Sequence, residues 1–253
     1  MNRSRIQRNV IVALTIVIAV LACNLYRCNK TISELSDKAI LTTDLQAAVQ
    51  MCGYEQSPTD IWSWESSLRK YKVDADIAFI GDSLTQRSDF TPYFPDVTVY
   101  NLGIGGDTIE GISSRITMID AVQAEKTFIM AGFNDLQSNE PEDEIYDDIY
   151  RKYSALLDGL FSKYPNMTVY VESILPVTAS ATDDYGITSS MIQSADRAVM
   201  QAAADHNVQY IDLYSLYADK DGFLPDSLSA DGVHITDSSY QIWADAIKKY
   251  VYE

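Results

Sequence analysis

The chain is predicted to be an α/β protein, in which helices cover both faces of a five-stranded parallel sheet. Short and nearly continuous apolar runs alternate with longer amphipathic runs, and glycine and proline fall between them. The apolar runs lack the polar alternation of a sheet with one face in water, which indicates strands buried on both faces. Together these observations predict a three-layer α/β/α domain.

Each element is predicted from its own run of residues. The strand-like runs are Asp76–Ile80, Val97–Tyr100, Lys126–Ala131, Met167–Ser173 and Val208–Leu213. The helix-like runs are about 107–119, 142–163, 188–206 and 237–252. In the second of these, one face is marked by apolar residues at helical spacing: Ile145, Ile149, Tyr153, Leu156 and Leu160.

Charge is distributed unevenly along the 253 residues. Residues 1–30 carry five basic side chains and no acidic one: Arg3, Arg5, Arg8, Arg27 and Lys30. The net charge of −17 therefore leaves −22 on the remaining residues, since 14 basic groups face 36 acidic groups there. Such an acidic body argues against nucleic acid as a partner.

The apolar run Val10–Cys23 follows three arginines and predicts export. We expect a signal anchor that holds the protein in the membrane, with the main domain in the cell envelope outside the cytoplasm. Two alternatives stay open: cleavage after Ala22, which gives a secreted protein, and lipid attachment at Cys23, which gives a lipoprotein. Oxidising conditions outside the cytoplasm also suggest a Cys28–Cys52 disulfide, against the alternative of two unrelated thiols.

Three segments follow from these patterns. Residues 1–29 are predicted to be the signal anchor or signal peptide, residues 30–57 a stalk or linker helix, and residues 58–253 the α/β domain.

Four short motifs in the predicted domain supply the groups needed for acyl transfer. They are Gly81-Asp82-Ser83-Leu84, Gly103-Ile104-Gly105-Gly106-Asp107, Gly132-Phe133-Asn134-Asp135 and Asp231-Gly232-Val233-His234. The first three each follow a predicted strand and the fourth lies beyond the last one. In parallel sheets, ligands bind beyond the carboxyl ends of the strands, so we expect the four loops to meet at one edge.

The first and last motifs hold a candidate nucleophile and its base. Ser83 is the candidate nucleophile, although serine at this position is also a favoured helix N-cap. His234 is the candidate general base and Asp231 the residue that orients it, against the alternative of a surface capping turn. The only other histidine, His206, precedes a strand at a predicted helix end, and we expect it to be structural.

The middle motifs hold candidate oxyanion donors. Gly106 allows its backbone N–H to approach a substrate oxygen, and Asn134 offers a side-chain N–H. The alternatives are a plain glycine turn and an Asx turn that closes the strand. A dinucleotide loop is excluded because its third glycine would fall at Thr108.

With these residues in place, the chain resembles the GDSL-type SGNH hydrolases, of the lysophospholipase L1 and platelet-activating-factor acetylhydrolase-like kind. Ser83, Gly106, Asn134 and His234 match the family's four blocks, and Asp231 matches the acid of the last block. The resemblance implies a flavodoxin-like fold over roughly residues 60–253 and a serine esterase without metal or organic cofactor. It also implies that the Ser83 N–H, the Gly106 N–H and Asn134 bind the oxyanion.

The substrate is predicted from weaker signals. We expect a small-molecule or glycan ester with a short acyl group, in particular acetyl, on a neutral carbohydrate or envelope polymer. No long apolar lid is visible in the sequence, and the acidic body would repel acidic polymers. Asp82, Phe133 and Tyr185 are the candidate substrate contacts, and Val177–Ile187 is predicted to rim the pocket. The alternatives are lysophospholipase, thioesterase or acyltransferase activity, or a glycan-binding module without catalysis.

Overall fold

The computed structural model describes residues 74–137 and 144–253, in which five strands form one parallel sheet of order β2-β1-β3-β4-β5. The strands are β1 (Ile77–Gly81), β2 (Val99–Asn101), β3 (Lys126–Met130), β4 (Thr168–Glu172) and β5 (Gln209–Ile211). This order is that of the flavodoxin-like doubly wound sheet, whose ligands bind where the chain switches direction between β1 and β3. The predicted fold class is therefore confirmed for the described residues.

Helices connect the strands. They are α1 (Ser83–Gln86), α2 (Ile109–Ser114), α3 (Thr117–Ala121), α4 (Ile145–Lys163), α5 (Ala179–Tyr185), α6 (Ser189–Asp205), α7 (Tyr214–Tyr217) and α8 (Tyr240–Tyr252). Single 3₁₀ turns occupy Asn134–Gln137, Asp226–Leu228 and Asp237–Ser239.

The two faces of the sheet are packed differently. On one face, the rings of Phe79, Phe128 and Tyr170 stack across adjacent strands at centroid distances of 5.0 and 4.7 Å. Trp243 and Ile247 of α8 cover this aromatic row and are fully buried. On the other face, α4 packs against α2 and α6, and its predicted apolar stripe from Ile145 to Leu160 is buried as expected.

The predicted helix over 107–119 is broken into two. Thr108 caps α2 by accepting the Gly111 N–H at 3.1 Å, so the helix begins two residues later than predicted. At Arg115 the backbone leaves the helical region (φ −122°, ψ 18°), because the side chain turns inward to buried acceptors. The predicted rim Val177–Ile187 contains α5, and the short helices α1 and α7 were not predicted.

The predictions for the N-terminal region lie outside the described residues. These are the signal anchor over 1–29, the linker over 30–57 and the Cys28–Cys52 disulfide. Among residues 74–137 and 144–253, no helix combines the length and apolar character needed to cross a membrane.

Candidate active site

Ser83 lies on a tight turn at the carboxyl end of β1. It is the first residue of α1, and Asp82 caps that helix by accepting the Leu84 N–H at 2.9 Å. The turn requires Gly81, since a Cβ there would lie 2.5 Å from the Met130 carbonyl oxygen and 2.2 Å from the Thr85 hydroxyl. The packing of β1 against β3 thus sets where the serine hydroxyl emerges.

The serine hydroxyl is joined to His234 and Asp231 by two short hydrogen bonds. Ser83 Oγ lies 2.7 Å from His234 Nε2, and His234 Nδ1 lies 2.8 Å from Asp231 Oδ2. A carboxylate accepts and does not donate, so Asp231 holds the proton of the imidazole on Nδ1. Nε2 is then left as the acceptor for the hydroxyl proton of Ser83, which is the arrangement that a general base requires.

Asp231 is fixed by its own loop. Its Oδ1 accepts the backbone N–H groups of Val233 at 3.2 Å and His234 at 2.8 Å. Partial burial acts to raise the pKa of Asp231, but the hydrogen bonds from the His234 backbone and side chain outweigh it and lower the pKa to about 2. The carboxylate therefore stays ionised at neutral pH. Arg87 approaches the same Oδ2 from the solvent side, at 3.4 Å.

The loop after β2 presents the backbone of Gly106. Gly106 has φ +76° with open space where a Cβ would stand, whereas Gly103 lies against α1, and a Cβ there would be 2.3 Å from the Gln86 nitrogen. Among the described residues, the N–H groups of Ser83 and Gly106 have no acceptor. Two backbone donors at this edge of the sheet are thus available to a substrate oxygen.

Asn134 begins the 3₁₀ turn that follows β3, and its side chain reaches the glycine loop. Its Nδ2 donates to the Asp107 carbonyl oxygen at 2.8 Å and makes a longer contact of 3.5 Å with Asp82 Oδ2. The carboxamide therefore lies between the nucleophile turn and the loop of Gly106. The four motifs are brought together at one edge, as the sequence predicted from the strand order.

Two carboxyl groups, those of Asp82 and Asp135, are buried beneath the site, and the carboxyl group of Asp107 is partly buried beside them. Burial raises the pKa of Asp82 to about 7, with Asp107 and Asp135 adding repulsion. Burial also raises the pKa of Asp135, which accepts the Ile109 N–H at 3.0 Å and pairs with Lys152 at 3.3 Å. Asp107 pairs with the buried Arg115 at 2.6 Å.

The three predicted substrate contacts differ in their exposure to solvent: two are buried and one is exposed. Asp82 is 2% exposed and Phe133 is 6% exposed, so their side chains cap and pack and have almost no surface for a substrate. Tyr185 is 50% exposed at the end of α5, whose Ala181 packs against Gly232 of the histidine loop. His206 has a structural role: it is the C-terminal cap of α6, and its ring contacts the Ala202 carbonyl oxygen and Asp158.

Sequence reasoning missed two residues that shape the site, Asn101 and Arg115. Asn101 donates to the carbonyl oxygens of Thr85 and Ser88 and accepts the Gly103 N–H, so it ties α1 to the glycine loop. The available signal for Arg115 was one arginine within a largely apolar helical pattern from Ile109 to Ile119. In the described ranges, no three His, Cys, Asp or Glu side chains come together as metal ligands.

Comparison with curated proteins finds distant relatives. A curated relative, an N-acylneuraminate cytidylyltransferase from Streptococcus agalactiae, is 22% identical over 191 residues, which cover 73% of this chain. The match spans only 42% of that relative's length.

Solved structures show the same fold. A protein from Streptococcus pneumoniae described as a platelet activating factor has a TM-score of 0.65 at 23% identity, over 76% of this chain and 92% of that one. An acetyl xylan esterase from Geobacillus stearothermophilus has a TM-score of 0.54 at 21% identity, over 71% and 96% of the two chains. Residues 79–242, about two thirds of the sequence, match the GDSL-like Lipase/Acylhydrolase family. The chain belongs to the GDSL-like lipase/acylhydrolase family.

Proposed function

We propose that this chain is an exported serine esterase that removes a short acyl group, in particular acetyl, from a carbohydrate or envelope glycan. Its family membership makes it a serine hydrolase that acts on esters. The single observation that carries the catalytic assignment is the pair of hydrogen bonds from Ser83 to His234 and from His234 to Asp231, at 2.7 and 2.8 Å.

The first step of the proposed reaction forms an acyl-enzyme. Ser83 Oγ attacks the ester carbonyl carbon while its proton passes to His234 Nε2, and the carbonyl oxygen takes up the negative charge. The tetrahedral intermediate then collapses: the bond to the alcohol oxygen breaks and that oxygen takes the proton from His234. The products of this step are the free alcohol and an acyl ester of Ser83.

The second step regenerates the enzyme. A water molecule gives one proton to His234 Nε2 and its oxygen attacks the acyl carbon. When the second intermediate collapses, Ser83 Oγ leaves and recovers that proton, and the acyl group departs as a carboxylic acid. Asp231 stays ionised throughout and stabilises the imidazolium that forms twice in the cycle.

The oxyanion of both intermediates is assigned to three donors. The N–H groups of Ser83 and Gly106 have no acceptor among the described residues, and Asn134 Nδ2 lies on the same side, held by the Asp107 carbonyl oxygen. Preorganised donors are effective because they need no reorganisation when the charge develops.

Support for an acetylated glycan comes from the relatives and from charge. The Geobacillus stearothermophilus structure is an acetyl xylan esterase, and the name of the Streptococcus agalactiae relative refers to a sugar derivative. The acidic body of the protein disfavours polyanionic substrates. Tyr185 is half exposed at the end of α5, and its ring offers a face on which a sugar can stack.

The proposed place of action rests on the sequence of the N-terminal segment. Three arginines before the apolar run Val10–Cys23 favour a cytoplasmic N-terminus and an outer catalytic domain. Fractionation of cells that produce the full-length chain tests this: catalytic activity is expected with the membranes and accessible to added protease in intact spheroplasts. Activity confined to the cytosolic fraction would contradict it.

Hydrolysis of p-nitrophenyl acetate, butyrate and decanoate by the full-length chain, beside Ser83→Ala, tests the chemistry. We expect the wild type to prefer acetate and the variant to fall to background. Acetate release from acetylated xylo-oligosaccharides then tests whether a glycan ester is a substrate. Acylated products formed when acceptor sugars are added would distinguish acyl transfer from hydrolysis. A preference for decanoate would favour a lipase-type pocket, and retained activity in Ser83→Ala would rule out the serine mechanism.

A further inference from the structure

We infer that Arg115 is a positioning residue that holds the nucleophile turn and the oxyanion loop at a fixed separation. The inference rests on the proposed function, because it takes Ser83 as nucleophile and Gly106 as oxyanion donor. Arg115 itself lies beneath the site and is assigned no contact with substrate.

Arg115 binds both loops at once. Its Nη2 donates to the Gly81 carbonyl oxygen at 3.1 Å, two residues before Ser83. Its Nη1 donates to the Leu102 carbonyl oxygen at 2.6 Å, and its Nε donates to Asp107 Oδ2 at 2.6 Å. These last two acceptors lie on either side of Gly106 along the chain. One side chain thus contacts the end of β1 and both ends of the glycine loop.

The guanidinium is suited to this because its shape is rigid. Its N–H donors lie in one plane in a fixed fork, so three acceptors bound to it keep fixed distances from one another. An ammonium group on a flexible stem gives no such constraint. The distance from the Ser83 turn to the Gly106 N–H is therefore set through a planar group, and not through loop packing alone.

Burial indicates that this arrangement has a purpose other than stability. Arg115 is 2% exposed, and burial lowers its pKa although the Asp107 carboxylate opposes the shift. A buried ion pair is frequently no more stable than apolar residues of the same volume, since both charges lose their hydration. The pair of Arg115 and Asp107 instead fixes the position of the glycine loop relative to the nucleophile turn.

Asn134 extends the same connection to the third donor. The backbone carbonyl of Asp107 accepts Asn134 Nδ2 at 2.8 Å, while the Asp107 side chain accepts Arg115 Nε. A shift of Asp107 after the loss of Arg115 would therefore move Asn134 together with Gly106. The α1 turn is tied separately, by Asn101 to Thr85 and Ser88, so Ser83 is expected to stay reactive.

The test is Arg115→Lys, which keeps the charge and loses the fork. We expect kcat on p-nitrophenyl acetate to fall roughly tenfold to a hundredfold, since a small misplacement of catalytic groups has effects of that order, with KM changed little. Affinity for a trifluoromethyl ketone, which forms a tetrahedral adduct with the serine, should fall by the same factor. Rates are normalised to the number of active sites, counted as the serines that a fluorophosphonate has labelled when the labelling reaction is complete.

Leu160→Ala is the matched control for stability. Leu160 is buried on α4, near the end of that helix that precedes β4, and its truncation lowers the thermal midpoint without touching the site. We expect Leu160→Ala to keep the wild-type kcat per labelled serine. If Arg115→Lys yields no folded protein, the neutral pair Arg115→Gln with Asp107→Asn carries the test, with the same expected losses.

The inference is overturned if the folded variant keeps kcat and ketone affinity within about twofold of wild type, because a displacement of the catalytic loops has a much larger effect than that. It is also overturned if Leu160→Ala loses as much kcat at an equal shift of the thermal midpoint. Ser83→Ala separates the two proposals. Activity in Ser83→Ala would remove the proposed function, whereas an inactive Ser83→Ala beside a fully active Arg115→Lys would remove only the role of Arg115.

Discussion

Asn134 donates its side-chain amide to the main-chain carbonyl oxygen of Asp107 at 2.8 Å, which couples the turn after β3 to the loop of Gly106. A carboxamide nitrogen carries two hydrogens. One is held by Asp107, and the contact from the same nitrogen to Asp82 Oδ2 is long, at 3.5 Å. A developing oxyanion is a stronger acceptor than that distant contact, so the structure orients Asn134 for donation before substrate arrives.

Asn134→Ala should therefore lower kcat by roughly a hundredfold to a thousandfold, as the loss of one oxyanion donor does elsewhere. KM should change little, because the donation is strongest when the carbonyl oxygen carries charge. Steady-state kinetics with p-nitrophenyl acetate measures both, with Ser83→Ala as the background. An equal rise in KM with kcat unchanged would place Asn134 in ground-state binding instead.

Asp231→Asn should leave the histidine loop folded and still remove activity. The asparagine oxygen can accept the N–H groups of Val233 and His234 that Asp231 Oδ1 accepts now. Its amide nitrogen, however, faces Nδ1 and favours the tautomer with the proton on Nε2, which cannot accept the proton of Ser83. We expect kcat to fall by about 10⁴, as in other triads with this substitution.

Thermal unfolding and the pH profile of Asp231→Asn complete that test. The thermal midpoint should change little, and Asp231 itself does not titrate between pH 5 and 9, because its pKa of about 2 keeps the wild-type carboxylate ionised over that range. A loss below about tenfold would show that the orientation of His234 depends on other contacts.

The catalytic motifs were predictable because they depend on order along the chain. Each of the first three follows a buried apolar strand, and parallel topology alone brings such loops to one edge. The positioning role of Arg115 was not predictable, since two of its three acceptors are backbone carbonyl oxygens separated from it by 13 and 34 residues, which leave no side-chain signature. The break between α2 and α3 has the same cause, because helical periodicity does not show that a side chain binds inward.

Gly103 and Gly106 should tolerate alanine differently although they lie in one loop. A Cβ at Gly103 would stand 2.3 Å from the backbone nitrogen of Gln86, so Gly103→Ala must displace α1. We expect the free energy of unfolding to fall by roughly 3 kcal/mol, the upper part of the range for overpacking. At Gly106 the space for a Cβ is open. In Gly106→Ala, the positive φ of +76° alone should lower the free energy of unfolding by about 1 kcal/mol.

Urea unfolding of both variants measures these free energies, and p-nitrophenyl acetate hydrolysis measures their effect on the site. Gly106→Ala should lose kcat beyond what its small loss of stability explains, because relief of the strained φ turns the N–H away from the oxyanion. Equal losses of stability in the two variants would contradict the distinction between close packing and backbone conformation.

Glu172 should make the protein less stable as the pH rises. Its carboxyl is 1% exposed at the end of β4, where Oε1 accepts the Trp243 indole N–H at 2.6 Å, and burial raises its pKa from 4.5 to about 8. Because the folded pKa lies above the unfolded value, the stabilising contribution is complete below pH 4.5 and is lost as the pH rises to about 8. The total effect is on the order of 5 kcal/mol, at about 1.4 kcal/mol for each pKa unit.

The substitution Glu172→Gln keeps an oxygen that can accept the Trp243 indole N–H, and it removes the ionisable carboxyl group. Relative to wild type, the variant should therefore gain stability between pH 5 and pH 9, measured by urea unfolding at both values. It is expected to be the less stable protein at pH 5, because its buried NH₂ group needs acceptors that the site was not built to offer. Glu125→Gln, at an exposed position before β3, is the matched control for the replacement of a glutamate by glutamine at the surface. If the stability difference between Glu172→Gln and wild type is the same at both pH values, Glu172 is already ionised in the folded protein at pH 5. That would require a cationic partner, because the indole of Trp243 carries no charge.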